Sequence, residues 1–378
     1  MDKGKFKVVL FANTDWYLFN FRLSLAEKLR ESGYDVLMIS PPGDYGERLR
    51  SLGYRWQALP MNRRSLNPLS ELRLLFYLIR LFRAEKPAIV HGFTIKAAVY
   101  GAVAAKVARV PAIVSSVNGL GYVFISRHIK ARLLRPVVRF AMRFAFSGRR
   151  CRVIVQNPTD RDEFVSEGIA QAGSIHLIPG SGVDCRVFSP RADDARAGER
   201  LRVLLPSRLL WDKGIGEFVE ASRILGQDGF RFQIAGDIDH GNPAAVSRVE
   251  TDAWRNAGLV ELLGHVDDMA GLLQVVDMVV LPSYREGLPK SLIEASACGK
   301  PIIATDVPGC RDVVEDGVNG LLVPVRDGQA LADAIRRLAD NPAMRRQMGK
   351  AGRQRALATF DKDIIVRETV EIYESIGS

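Results

Sequence analysis

The sequence predicts an α/β protein built as two Rossmann-like, doubly wound parallel-sheet domains facing a central cleft. Short apolar runs alternate with helical patterns along almost the whole chain, the rhythm of successive βαβ units. That rhythm pauses once, at Gly180-Ser181-Gly182-Val183-Asp184, ahead of Pro190 and a polar run over 191–200, and then starts again. A length of 378 residues also exceeds what one hydrophobic core usually organises.

Taken in order, Lys5 to Ala12 reads as a buried strand, Phe19 to Ser32 as a helix closed by Gly33, and Asp35 to Ser40 as the next strand. Ile89 to His91, a helix from Ile95 to Arg109, Ala112 to Val117, Arg152 to Val155 and Ile175 to Ile178 continue the series. The first β–α turn is Ala-Asn-Thr-Asp-Trp-Tyr, without GxGxxG, which disfavours a dinucleotide-binding dehydrogenase. The second half repeats the pattern. Its strands are Leu201 to Pro206, Phe230 to Ala235, Val260 to Leu263, Met278 to Leu281, Pro301 to Ala304 and Leu321 to Val323. Helices cover Ile215 to Leu225 and Ala244 to Ala257, and the tail from Gly328 is helical. The domains expected are 1–184 and 185–358.

Composition narrows the partners. The net charge of +10 calls for an anionic one: nucleic acid, an acidic membrane or phosphorylated substrates. Four cysteines without CxxC spacing argue against a zinc site or a disulfide framework and for a reducing compartment. No signal peptide and no spanning apolar run are read at the sequence level, so a cytoplasmic protein is expected. The charge is concentrated: from Pro87 to Thr159 there are twelve Lys or Arg and no Asp or Glu. Arg132, Arg135, Arg139 and Arg143 recur at i, i+3, i+7 and i+11 on one helical face, with apolar residues opposite. A second amphipathic stretch, Leu69 to Arg83, carries Arg73 and Arg80. Arginine on amphipathic helices suits the anionic inner face of a cell membrane. The same charge could serve nucleic acid, but no recognised binding motif accompanies it, so no nucleic-acid partner is expected.

The chemistry is centred on Ser283-Tyr284-Arg285-Glu286-Gly287-Leu288-Pro289-Lys290-Ser291-Leu292-Ile293-Glu294. A buried strand turns there through Gly287 and Pro289 into a helix, with Pro289 expected at its first position. The helix N-terminus aims backbone N–H groups at whatever lies above the strand end, a natural phosphate site. Glu286 and Glu294 flank the turn, and sugar hydroxyls are their expected partners. Arg208 and Lys213, just after the first strand of this half, lie on the same edge, and a guanidinium with an ammonium suits a diphosphate. Gly264 to Met269 follows another strand on that edge and could line a base pocket, with Val266 its expected contact.

With these residues in place, the chain resembles the retaining, two-domain (GT-B) glycosyltransferases of family 4. The resemblance rests on the Glu286/Glu294 motif together with Pro-Gly-Ser-Gly-Val-Asp (179–184), Ser-Arg-Leu-Leu-Trp-Asp-Lys-Gly (207–214) and Thr-Asp-Val-Pro-Gly-Cys-Arg-Asp-Val-Val (305–314). It implies that Arg208 and Lys213 hold the nucleotide diphosphate, Glu294 takes the ribose hydroxyls and Glu286 contacts the donor sugar. Backbone at Gly287, Leu288, Pro289 and Gly182 would meet sugar or phosphate. It also implies that 359–378 forms a helix crossing back to the first domain, and that transfer is a front-side reaction needing no cofactor or metal. No DxD motif is read in a loop where metal–diphosphate binding is expected.

Three further motifs, over 11–22 with Asn13, 91–96, and 118–124 with Asn118 and Gly119, resemble bacterial enzymes that extend a saccharide on undecaprenyl diphosphate. The particular likeness is to the type that adds N-acetylgalactosamine to lipid-linked bacillosamine for protein glycosylation. Two departures stand out. Asn13-Thr14-Asp15 replaces a glycine pair, and Phe93 occupies a position where many members carry histidine, leaving His91, Lys96 or neither for that role. A soluble-acceptor enzyme or a nucleotide-sugar epimerase on the same architecture, and a basic nucleic-acid-binding protein, are the competing readings.

Overall fold

The computed structural model describes residues 6–62, 67–117, 129–191, 200–239 and 241–377. The chain divides into two compact units, Met1–Ser181 with Ile365–Ser378, and Gly182–Ile364.

The first unit holds a parallel sheet of seven strands in the order β3-β2-β1-β4-β5-β6-β7. These are β1 Lys7–Phe11, β2 Asp35–Ser40, β3 Arg55–Ala58, β4 Ile89–Phe93, β5 Ala112–Val117, β6 Cys151–Val155 and β7 Ile175–Leu177. The central strands are buried on both faces, which is why they read as unbroken apolar runs rather than alternating ones. Helices α1 (Asp15–Glu31) and α2 (Gly46–Ser51) follow β1 and β2. Then come α3 (Pro68–Glu85), α4 (Ile95–Val107), α5 (Ile129–Phe146) and α6 (Pro158–Ser166). α1 starts a turn earlier than the apolar periodicity suggested, because Thr14 caps it: its hydroxyl accepts from the Tyr17 N–H at 3.1 Å. One core layer joins α3, α4 and α5 to the sheet. The other joins α1 to the opposite face and is completed by Ile365, Val366, Ile372 and Tyr373 from the end of the chain.

The second unit holds six parallel strands in the order β10-β9-β8-β11-β12-β13. They are β8 Leu201–Pro206, β9 Phe230–Ala235, β10 Glu261–Gly264, β11 Met278–Leu281, β12 Ile302–Thr305 and β13 Gly320–Val323. The helix expected over 244–257 is shorter, Arg248–Asn256 (α8, after α7 at Ile215–Leu225). Ser247 and Glu250 form a capping box that fixes its start. Ala244 lies before it, its carbonyl accepting from the Trp211 N–H. The helical tail is three helices, Gly328–Ala339, Pro342–Arg355 and Lys362–Gly377, interrupted where Asn341 caps the second and Asp361 turns extended.

Both units place their β–α turns at the carboxyl ends of parallel strands, where doubly wound sheets bind ligands.

Candidate active site

In the second unit, three neighbouring strand ends converge in close contacts. β8 runs into Ser207–Gly214, whose Asp212 carbonyl accepts from the Tyr284 N–H at 2.9 Å in the turn after β11. Gly214 adopts φ +73, and a Cβ there would lie 2.1 Å from the Pro282 carbonyl oxygen, so only glycine lets these turns meet. On the far side of the same turn, a Cβ at Gly309 would lie 2.4 Å from the Gly287 oxygen and 2.5 Å from that of Glu286. Thr305 at the end of β12 donates its hydroxyl to the Ser283 carbonyl.

This packing brings together residues far apart in sequence. Lys213 Nζ lies 2.5 Å from Glu286 Oε1, with side chains 22% and 11% exposed. A half-buried ammonium and carboxylate at that distance hold the turn of β8 and the turn of β11 in one register. Arg208 stands on the neighbouring side, exposed, with Nη1 2.6 Å from Asp239 Oδ2 in the turn after β9. Asp237-Ile238-Asp239 has the DxD spacing that the sequence reading passed over. Asp239 is engaged by Arg208 and by Asn242 Nδ2 at 3.0 Å.

The helix carrying Glu294 spans Lys290–Ala297, so Pro289 is its cap rather than its first residue. The Pro289 carbonyl accepts from the Leu292 and Ile293 N–H groups, so the helix itself occupies the oxygen that was expected to face a ligand. Lys290 Nζ lies 3.3 Å from Glu294 Oε1. Burial pushes the Glu294 carboxyl up from its ordinary range, against the pull of Lys290. Gly287 is exposed and Leu288 half-buried in the turn.

Tyr284 braces this turn from below. Its hydroxyl donates to Glu217 Oε1 at 2.7 Å, and the Arg326 guanidinium lies 4.7 Å from its ring centroid. No motif in the sequence signals this brace, because its three members come from the first turn of α7 and from the turns after β11 and β13.

A cavity of about 460 Å³ opens between the ends of β9 and β10 and the face of α8, lined among others by Leu209, Gly236, Asp237, Arg248 and Gly264. Of the expected base pocket it takes only Gly264. Val266 lies outside its lining, half-buried against the core. Gly182 sits at the start of the second unit with φ +68, beside Val183, whose N–H donates to the Phe360 carbonyl.

In the first unit the expected residues separate. His91 is fully buried within β4, Nδ1 2.5 Å from the Tyr373 hydroxyl and Nε2 2.7 Å from that of Ser116. Burial, reinforced by the charge of Arg22, pushes its pKa well below the usual histidine value, so the ring is neutral. It joins the last helix to the sheet rather than facing a ligand. Lys96, in the first turn of α4, donates to the Asn62 carbonyl at 2.8 Å and to Glu71 Oε1 at 2.7 Å, tying α3 to α4. Asn13 is half-buried at the end of β1. Next to it, buried Asp15 accepts from the Tyr45 and Gly46 N–H groups at 2.9 and 2.8 Å. Asn118 and Gly119 lie outside the described residues.

The arginine face of α5 also differs from expectation. Arg143 donates to the Glu167 and Gly168 carbonyls, and Arg139 pairs with the Glu167 carboxylate. Both are folded onto their own domain because Glu167 reaches back from just beyond the acid-free stretch. What α5 exposes instead is apolar: Val137, Phe140 and Phe144. α3 likewise exposes Leu69, Leu72 and Phe76 beside exposed Arg73 and Arg80. The Arg135 side chain is half-buried, and that of Arg132 is outside the described residues.

Comparison with known proteins fits this architecture. Residues 7–157 match the family model Glycosyl transferase 4-like, and residues 200–341 match Glycosyl transferases group 1. The chain is 29% identical over 369 residues, covering 95% of itself and 96% of its relative, to the N,N'-diacetylbacillosaminyl-diphospho-undecaprenol alpha-1,3-N-acetylgalactosaminyltransferase of Campylobacter jejuni. It is 26% identical, over 74% of each chain, to the UDP-Gal:alpha-D-GlcNAc-diphosphoundecaprenol alpha-1,3-galactosyltransferase of Escherichia coli. Among solved structures, Anabaena HepE in complex with UDP superposes with a TM-score of 0.80 at 20% identity, over 98% of this chain and 100% of that one. Two parallel Rossmann-like sheets, the Lys213–Glu286 junction at strand ends of the second and these matches together make the chain a glycosyltransferase of the GT-B, family 4 type.

Proposed function

We propose that the protein is a retaining glycosyltransferase that moves an N-acetylhexosamine, such as N-acetylgalactosamine, from a UDP-sugar to a saccharide on polyprenyl diphosphate. The observation that carries the donor side is the convergence of Lys213, Glu286 and the Lys290–Ala297 helix N-terminus at adjacent strand ends. The acceptor class is supported by the near full-length likeness to the Campylobacter jejuni enzyme, which acts on a diphospho-undecaprenol sugar.

In this mechanism Lys213 and Arg208 stabilise the nucleoside diphosphate as it leaves. Negative charge grows there in the transition state, where preorganised cations lower the barrier. Arg208 must exchange Asp239 for phosphate to do so. Glu286, held by Lys213, would accept from donor-sugar hydroxyls, and Glu294 from the ribose. The leaving phosphate oxygen takes the acceptor proton in a front-side attack that retains configuration. The two cations fill the role that a metal has elsewhere, so transfer is proposed to be metal-independent.

Thermal unfolding with a panel of nucleoside diphosphates tests the donor. At 100 times Kd a native-state ligand adds about 2.7 kcal/mol, so UDP is expected to raise the midpoint and GDP and dTDP are not. A midpoint unmoved by UDP removes the donor assignment.

We further propose peripheral attachment to the inner face of the cell membrane, in support of glycan or glycoprotein synthesis. No helix among the described residues is long and apolar enough to cross a membrane. α3 and α5 both pack on α4 and present Phe76 and Phe140, 66% and 73% exposed, in a strongly basic part of the chain. Exposed aromatic residues beside arginine suit the interface of an anionic bilayer. Phe76→Ser with Phe140→Ser is expected to abolish co-sedimentation with phosphatidylglycerol vesicles. Sedimentation equal to wild type refutes the attachment surface.

A further inference from the structure

Arg22, in the second turn of α1, is 5% exposed. Its side chain leans back toward the helix N-terminus, as long helical side chains do. Nη2 donates to the Tyr17 hydroxyl at 2.9 Å, and the guanidinium carbon lies 4.4 Å from the Phe93 ring centroid and 5.5 Å from that of Tyr17. Nε is buried without a partner. Among the described residues Arg22 pairs with no carboxylate.

Removing a guanidinium from water without a counter-charge is among the most expensive arrangements a fold can contain. Two aromatic faces return only part of that, about 2 kcal/mol each when well desolvated. The polar groups around it do not help. His91 is neutral, and its ring nitrogens are occupied by the Tyr373 and Ser116 hydroxyls. One residue beyond Phe93, Thr94 holds φ 69 and ψ 155, and its Oγ1 is also buried without a partner. Beside the end of β4, therefore, α1 holds a buried, unneutralised cation against Phe93, and the next residue carries a buried, unused hydroxyl, at the edge of the sheet where ligands of such folds bind.

We propose that Arg22 anchors an oxyanion site in the first unit, and that its ligand is the diphosphate of the polyprenyl-linked acceptor. The assignment rests on the acceptor class proposed above. A guanidinium presents a planar fork that matches phosphate oxygens in pairs. The unfavourable burial in the free protein becomes favourable once an anion is seated, so the site discriminates strongly for charge.

Thermal unfolding of the full chain tests this, with UDP saturating so that phosphate probes do not read the donor site. Inorganic pyrophosphate and geranyl diphosphate are the probes, and geraniol is the tail-only control. Both diphosphates are expected to raise the wild-type midpoint, and neither to move that of Arg22→Gln. Arg22→Lys, which keeps the charge but not the fork, is expected to respond in part. The ligand-free midpoint of Arg22→Gln is expected to equal or exceed that of wild type, because an unpaired buried charge is gone. In turnover assays its acceptor KM should rise by about tenfold or more, with donor KM unchanged. An equal shift in Arg22→Gln and wild type, or no shift in wild type, overturns the site. A ligand-free midpoint well below wild type makes Arg22 a packing residue. A response to pyrophosphate but not to geranyl diphosphate overturns the lipid assignment in favour of free pyrophosphate. Failure of UDP to stabilise the chain would remove the donor reading while leaving the comparison between Arg22→Gln and wild type legible.

Discussion

Lys213→Ala is expected to lower turnover by about 10² or more, the effect of deleting one preorganised group that meets charge developing in the transition state. The prediction follows from position rather than from charge alone. Lys213 is the side chain through which the turn after β8 grips the turn after β11, 2.5 Å from Glu286. Its removal takes away the proposed phosphate partner and also leaves Glu286, 11% exposed, without its counter-ion. The two losses are coupled, so a double-mutant cycle with Glu286→Gln should be strongly non-additive, the double variant falling little below Lys213→Ala. Steady-state rates within tenfold of wild type for Lys213→Ala would refute the catalytic assignment. Additive losses would show that the pair acts as two separate groups.

The second large effect is expected at Gly214, where two demands coincide. Its φ of +73 excludes most side chains, and an added Cβ would meet the Pro282 carbonyl oxygen at 2.1 Å. A backbone carbonyl cannot rotate aside as a side chain can, so Gly214→Ala must displace the 282–289 turn or unfold it. A left-handed residue alone costs about 1–2 kcal/mol. Gly258, at φ +65 with nothing near its absent Cβ, carries only that term and serves as the control. Urea unfolding is expected to show Gly258→Ala losing about 1–2 kcal/mol and Gly214→Ala more than twice as much, with turnover of Gly214→Ala falling as well. Equal losses at the two sites would mean that the contact with Pro282 is not what glycine serves there.

How much of this was legible in the sequence depends on the range of each interaction. The strand–helix rhythm is local, and it located the parallel strands of both units except β3, a short strand with one buried residue. The Glu286-to-Glu294 stretch was legible because its turn chemistry, Gly287 and Pro289, is written in adjacent residues. Its helix start slipped by one residue, since proline can either open a helix or cap it. Interactions between distant residues were not legible. His91 reads as a strand-end histidine until Tyr373, 282 positions later, closes over it. Arg139 and Arg143 read as a membrane-facing stripe because their partner, Glu167, stands outside the segment whose lack of acids drew attention. The brace of Tyr284, Glu217 and Arg326 comes from one helix and two strand-end turns far apart in sequence, and only the fold assembles it.

The first unit is discontinuous in sequence: Ile365, Val366, Ile372 and Tyr373 complete a core layer begun by β1. On the ribosome, the contiguous second unit can therefore finish folding before its neighbour, although it is translated later. The first must wait, with one face of its sheet uncovered, until Ile365 to Tyr373 have been made. A chain made without Ile365 to Tyr373 would keep a greasy flank bare, an immediate substrate for chaperones and proteases.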